Sequence, residues 1–244
     1  MKGVSQVLIR TNKTKGLFFA LFLLTAFSIS AFGAILFEDD FGSGNLDKWE
    51  NVKGQPLEVT KDPDDGGNQV CEQNIEIEGP PLPIPKGSLD EGWTDYIWEY
   101  DLRWVGDPFV GNGYRYQGPT NYFHGSRRVG GSYSIFIWNG GFAELNNQPW
   151  ASDGGVWYRL QLSVIGDEHI VKTKERDDET PFDELDPILK IKDNTYKDGP
   201  IGLFGAEGMM FWDNIIVYEP GTNIRAVKPR GKLTTTWGGL KSDR

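Results

Sequence analysis

The chain has little of what most catalytic centres are built from. It contains one cysteine, Cys71, and two histidines, His124 and His169, in 244 residues. A single cysteine excludes an intramolecular disulfide. The sequence holds no H-x-H, H-E-x-x-H or C-x-x-C, so no spaced ligand set for a catalytic zinc ion is present. It has no nucleophile elbow for a serine hydrolase. Gly111-x-Gly113 stops short of a phosphate-cradling loop, and no helix follows it. Heptads and amphipathic helices of useful length are missing as well. Cys71 lies in a stretch, Gln69 to Ile77, that reads as a strand, where a thiol serves as a small buried apolar group. The other reading, a reactive thiol, has no activating neighbour in sequence.

Basic charge is also scarce, with 25 Lys and Arg against 35 Asp and Glu. Four of the basic residues, Lys2, Arg10, Lys13 and Lys15, precede an apolar run from Leu17 to Phe32, and Ala31-Phe32-Gly33 places small residues around a cleavage position. Residues 1–33 therefore read as a signal peptide, or else an uncleaved anchor, of a protein exported to the periplasm, the cell surface or the medium. With the segment cleaved, no membrane insertion is expected. The remainder has 21 basic and 35 acidic residues, a net charge of −14. Such acidity argues against nucleic acid and anionic membranes as partners.

What is abundant is strand signal. Tyr96, Trp98, Tyr100, Leu102 and Trp104 alternate with Asp95, Ile97, Glu99, Asp101 and Arg103, an aromatic core face against a polar one that is solvated or lines a groove. Tyr158, Leu160, Leu162 and Val164 alternate with Arg159, Gln161 and Ser163 in the same way. Glu99, Asp101, Arg103, Arg159 and Gln161 are predicted on one side of one sheet. Further strands are predicted at Ile35–Phe41, Gln69–Glu78, Tyr133–Trp138, Ile170–Glu175, Leu189–Ile191 and Met209–Tyr218. The last is apolar on both faces except at Asp213 and Asn214, which marks it as central. Gly79–Gly87, with four prolines, excludes a central strand, and Gly106–Gly131 reads as loop-rich. The whole implies an all-β fold: a sandwich domain over 34–220, preceded by the signal segment 1–33 and followed by a locally basic tail, 221–244.

Three motifs carry a family resemblance over about residues 34–220. D-D-F with a Trp soon after (Asp39, Asp40, Phe41, Trp49), W-Y-R-L-x-L-x-V-x-G-D from Trp157, and G-x-I-G-L followed by F-x-D-N-I-I-V from Gly199 together resemble the concanavalin A-like lectin and glucanase superfamily. This includes laminin G-like domains, laminarinase-type glycosidases and 3-keto-disaccharide hydrolases. The resemblance implies a two-sheet antiparallel jelly-roll sandwich whose first and last strands pair.

It also frames the functional candidates. Glu99 and Asp101, about 6.6–7 Å apart along a strand, suit a glycosidase acid and its partner. The laminarinase-type strand reads E-x-D-x-x-E, however, and here the last position is Trp104. The alternative is a charge ladder with Arg103 and Arg159. Aromatic rings that pack on sugar C–H faces, and polar groups that bond hydroxyls, point to carbohydrate binding, with Glu99, Asp101, Arg103, Tyr114, Tyr116, Trp150, Arg159 and Gln161 as ligand contacts. A glycan or polysaccharide is the expected partner of an exported binding or adhesion module. A glycoside-cleaving enzyme and a structural or protein-interaction domain are the alternatives. Finally, carboxylates that meet at the edge of a core repel unless a cation separates them. A structural calcium ion on Asp39, Asp40 and Asp213 is therefore expected, as in many modules of this superfamily; a hydrogen-bonded Asp213 without metal is the other reading.

Overall fold

The computed structural model describes residues 33–51, 57–75 and 82–224; residues 1–32 of the expected signal segment 1–33, the expected strand residues 76–78 and residues 225–244 of the tail lie outside them. In chain order the strands are β1 (Ile35–Asp39), β2 (Trp49–Glu50), β3 (Leu57–Lys61), β4 (Gln69–Ile75), β5 (Ile84–Pro85), β6 (Tyr96–Val105), β7 (Phe109–Gly118) and β8 (Asn121–Arg128). They continue with β9 (Ser132–Asn139), β10 (Phe142–Pro149), β11 (Tyr158–Ile165), β12 (Glu168–Glu175), β13 (Leu189–Lys192), β14 (Gly202–Ala206) and β15 (Gly208–Tyr218). Two antiparallel sheets form the sandwich. One has eight strands in the order β13-β12-β11-β6-β15-β4-β3, with β1 also on β15; the other is β10-β9-β8-β7-β14. This is the jelly-roll architecture the sequence implied.

The aromatic face of β6 builds the core. Tyr96, Trp98, Tyr100, Leu102 and Trp104 are all buried, packed with Leu160 and Leu162 of β11, Trp212 and Val217 of β15, and Tyr133, Ile135 and Ile137 of β9. β15 is central, between β6 and β4, and it also pairs with β1, so the first and last strands meet. Its two polar residues mark a β-bulge: the register slips between Asp213 and Ile216, and Asn214 sits at φ 47°. The D-D-F…W motif has a physical basis too. Asp39 accepts 2.8 Å from the Trp49 indole Nε1 and 3.1 Å from the Phe41 N–H, pinning the turn after β1 onto the core.

One expectation fails in an instructive way. Gly106–Gly131 is not loop-rich; it contains β7 and β8, paired from Val110–Arg127 to Gly118–Asn121. Glycines in β7 serve close packing. A Cβ on Gly113 would lie 2.1 Å from Leu82 Cδ1, because the proline-rich stretch lays Leu82 directly on this sheet.

Candidate functional site

The sandwich presents two outer faces. On the eight-stranded sheet, Arg159 lies directly opposite Asp101 and Gln161 opposite Glu99, so the predicted polar residues do share a face. They are occupied with one another. Glu99 accepts from Arg159 at 3.0 Å, Gln161 at 3.0 Å and the Tyr218 hydroxyl at 2.8 Å. Asp101 accepts from Arg159 at 2.8 Å and from the Asn214 amide at 2.6 Å. Glu99 is 5% exposed and Asp101 1%, so these two carboxylates are buried, where the expectation was a face solvated or lining a groove. A second layer extends the network: Asn68 bridges Asp213 and Asp62, and Asp62 also accepts from Trp157 and Arg176. Burial acts on Asp62 first and raises its pKa, but the hydrogen bonds from Asp64 N–H, Asn68 and Arg176 outweigh it and hold the carboxyl below its usual value. Arg103 turns away to Asp64 and to the Gly155 carbonyl, its guanidinium over the Phe211 ring. Among the described residues Glu99 and Asp101 are taken up in an ion-pair and hydrogen-bond network. Trp104, at the position of the missing acid, is wholly in the core.

The aromatic candidates are also relocated. Tyr114 is in the core, its hydroxyl 3.0 Å from His169 Nδ1. Trp150 is in the core against Trp104, Tyr133 and Tyr158. Tyr116 is buried on the other side of its sheet, with Tyr122, Leu82 and Phe204. Tyr114 and Tyr116 part company because Arg115, at φ 47°, bulges the strand between them. None of the three is an exposed ring.

Nor do the carboxylates expected to share a calcium ion converge. Asp39 is paired with Ile215, a core residue, and its oxygens face Trp49, Phe41 N–H and Lys48. Asp213 is paired with Asp101 on the opposite face of the same sheet. Asp40 caps its own turn at Gly42 N–H. Among the described residues no group of three or more His, Cys, Asp and Glu is arranged to hold a metal ion.

The outer face of the five-stranded sheet is the better candidate, and its residues come mostly from strands the sequence reading missed. Tyr122, His124, Ser126 and Arg128 alternate outward along β8, and opposite them on β9 stand Trp138, Phe136, Ser134 and Ser132. Next, on the edge strand β10, come Phe142, Glu144, Asn147 and Pro149. Rings dominate this face. Trp138 and Phe142 have centroids 4.0 Å apart, and His124 stacks on Phe204 at 4.1 Å with Phe136 at 4.8 Å. The strip is open along β10, where Phe142 is 45% exposed and Glu144 and Asn147 are exposed. Deeper in, Ser126 Oγ and His124 Nδ1 are buried with no hydrogen-bond partner. Burial, with a contribution from Arg128, pushes the His124 pKa down to about 3, so its ring is neutral at physiological pH. The period-2 pattern from Tyr122 to Arg128 was the available signal; the glycines on either side masked it.

No family profile matches the chain, and no curated protein matches it. Solved structures do resemble it. A xylan β-1,4-xylosidase from Bacillus halodurans C-125 superposes with a TM-score of 0.54 at 12% identity, over 75% of this chain and 38% of that one. The GH43 BlXynB protein from Bacillus licheniformis gives 0.51 at 11% identity, over 75% and 38%. A Bacillus subtilis protein of unknown function with a galectin-like fold gives 0.50 at 13%, over 77% and 96%. The chain thus spans well under half of the two longer enzymes. The fold shared with these structures is a two-sheet antiparallel β-sandwich.

Proposed function

We propose that this chain is an exported, non-catalytic carbohydrate-binding module that takes its glycan on the outer face of the five-stranded sheet. The observation that carries the reading is the Trp138–Phe142 ring pair at the open edge, flanked by the exposed polar side chains of Glu144 and Asn147. Rings of this kind pack against the C–H faces of a sugar, while the Glu144 carboxylate and the Asn147 amide oxygen accept from its hydroxyls, the Asn147 Nδ2 being held by Ser132 and Ser134. The likeness in fold to parts of glycoside-active enzymes and to a galectin-like protein supports a carbohydrate ligand. Export rests on the basic and apolar character of residues 1–33.

Glycoside cleavage is the rival. It needs two carboxyls flanking an open site, one of them able to give up a proton. Glu99 and Asp101 share one guanidinium in a buried network, which favours binding without turnover. A glycan array run beside a reducing-sugar assay separates the readings. Binding without release of reducing ends is expected. Phe142→Ala and Trp138→Ala should each weaken binding about tenfold, equivalent to roughly 1.4 kcal/mol. Undiminished binding in both variants, or turnover that disappears in Glu99→Gln, would refute the proposal.

A further inference from the structure

The arginines among the described residues divide sharply. Arg103, Arg115, Arg127, Arg159 and Arg176 each have a carboxylate partner: Asp64, Asp95, Asp107, the pair Glu99 and Asp101, and Asp62. Arg128 has none among the described residues. Its guanidinium lies instead over two rings, 4.6 Å from the centroid of Phe109 and 4.8 Å from that of Phe136. In a protein with an excess of acid this is an unusual vacancy, and it falls on the candidate face. Arg128 projects from the same side of β8 as Ser126 and His124, whose Oγ and Nδ1 are buried without partners.

The chemistry of the clamp narrows what fits. The guanidinium carbon is held 4.6 and 4.8 Å from two ring centroids, and no carboxylate among the described residues pairs with it. Its fork of N–H donors is engaged by no carboxylate there, and the natural complement of that fork is a planar carboxylate. We propose that Arg128 receives the carboxylate of an acidic sugar, so that the glycan taken here ends in, or carries, one isolated uronic-acid-type unit. This rests on the carbohydrate-binding reading above and adds the class of sugar to it. Distances agree with one ligand touching both parts. Phe136 is 6.3 Å from Phe142, and Arg128 is 4.8 Å from Phe136, so the cation and the exposed ring lie within the span of a short oligosaccharide.

An isolated acid is specified, as opposed to a polyanion, because of the surroundings. Glu144 stands beside Phe136 on β10, one strand further out than the clamp's own ring. It suits a neutral sugar's hydroxyls and repels a second carboxylate. The net charge of −14 outside the first 33 residues adds a general penalty for any polyanion, while at physiological salt charges more than about 8 Å from a single acid group are largely screened.

The test is an array, followed by calorimetry, carrying each neutral oligosaccharide beside the form capped by one uronic acid, together with polygalacturonate. The acid-capped form should bind about tenfold more tightly than its neutral partner, as expected for a charge-assisted bidentate pair. That ratio should shrink with added NaCl, fall to near one in Arg128→Gln, and recover in part in Arg128→Lys, which keeps the charge and loses the fork. Thermal midpoints of both variants check folding, and the wild-type ratio needs no variant at all. Equal binding of neutral and capped forms by the wild type would overturn the acid-sugar inference and leave the binding module standing. Preference for polygalacturonate over the singly capped form would overturn the isolated-acid claim. Absence of binding to every glycan would remove both readings.

Discussion

Replacing Arg159 with Ala is expected to destabilise the folded chain by about 3–5 kcal/mol, the usual consequence of deleting one member of a buried ion pair. The reason is geometric. Arg159 gives one nitrogen to Glu99 and another to Asp101, and those two carboxylates are almost entirely out of water. Without the guanidinium, two like charges face each other across one turn of the pleat, in a site where water screens them poorly. Arg159 itself reports the balance: burial pulls its pKa down, and Asp101 and Glu99 more than restore it, leaving the cation held above its usual value. The shared Gln161, Tyr218 and Asn214 bonds cannot replace a cation, because they add hydrogen bonds and no charge. Urea unfolding of wild type and variant measures the loss. A triple variant, Glu99→Gln with Asp101→Asn and Arg159→Met, removes all three charges and should recover most of the stability. If Arg159→Ala instead lies within about 1 kcal/mol of wild type, the face behaves as a surface ladder, and the polar groove expected from the alternation returns as a binding site.

That alternation shows where sequence reasoning stops. Period 2 in β6 and β11 told correctly which residues share a side, and the register pairs Arg159 with Asp101. Periodicity carries no information on what lies over a face. Here the cover comes from far along the chain: Asn214 and Tyr218 of β15, with Asn68, Trp157 and Arg176 in the layer beside them. A polar face roofed by such long-range contacts looks the same in sequence as one open to water. The other sheet shows the converse error. The glycines of Gly106–Gly131 suggested a loop, but Gly111 and Gly113 are places in a strand where the Gly125 carbonyl and Leu82 lie close. With Gly106–Gly131 taken as loop, His124, Ser126 and Arg128 have no common face; on β8 they share one. Tyr114, Tyr116 and Trp150 are expected ligand contacts because aromatic rings in glycine-, asparagine- and proline-rich surroundings can stand at a surface. In fact the rings fill the core and the packed outer face of a sandwich whose strands are unusually aromatic. Asp213 and Asn214 were the most legible anomaly. Two polar residues in an otherwise apolar strand signalled that something special happens there, and what happens is a bulge.

Acid should unfold the domain early, in a window that belongs to the two histidines. Burial first, and Arg128 second, depress the His124 pKa to about 3; burial first, and Arg115 second, depress that of His169 to about 4. An unfolded chain releases both to a value near 6.5. Below that value the unfolded state binds protons the folded state refuses, so the contribution is complete above about pH 6.5 and drains away as pH falls toward 4 and then 3. Each histidine then accounts for up to about 3 kcal/mol at pH 4, at 1.36 kcal/mol per unit, a large part of a typical domain's stability. The carboxyl of Asp62, held below its usual range, acts in the same direction but only at lower pH, near and below its unfolded value of 3.8. The two windows are therefore separable. Urea midpoints at pH 7, 5.5 and 4 should decline steeply in the wild type. His124→Phe keeps a ring against Phe204 and Phe136, so it should match wild type at pH 7 and lose about half of the slope. His169 packs against Tyr114 and Phe123 in the core, and His169→Phe should remove much of the remainder at the expense of the Tyr114 hydroxyl's partner. A stability that stays level from pH 6.5 to 4, or a slope untouched by His124→Phe, would mean that this ring gains its proton without leaving its stack. The ring packing around it would then have to admit water or an anion beside Arg128, an arginine of that face with no carboxylate partner among the described residues.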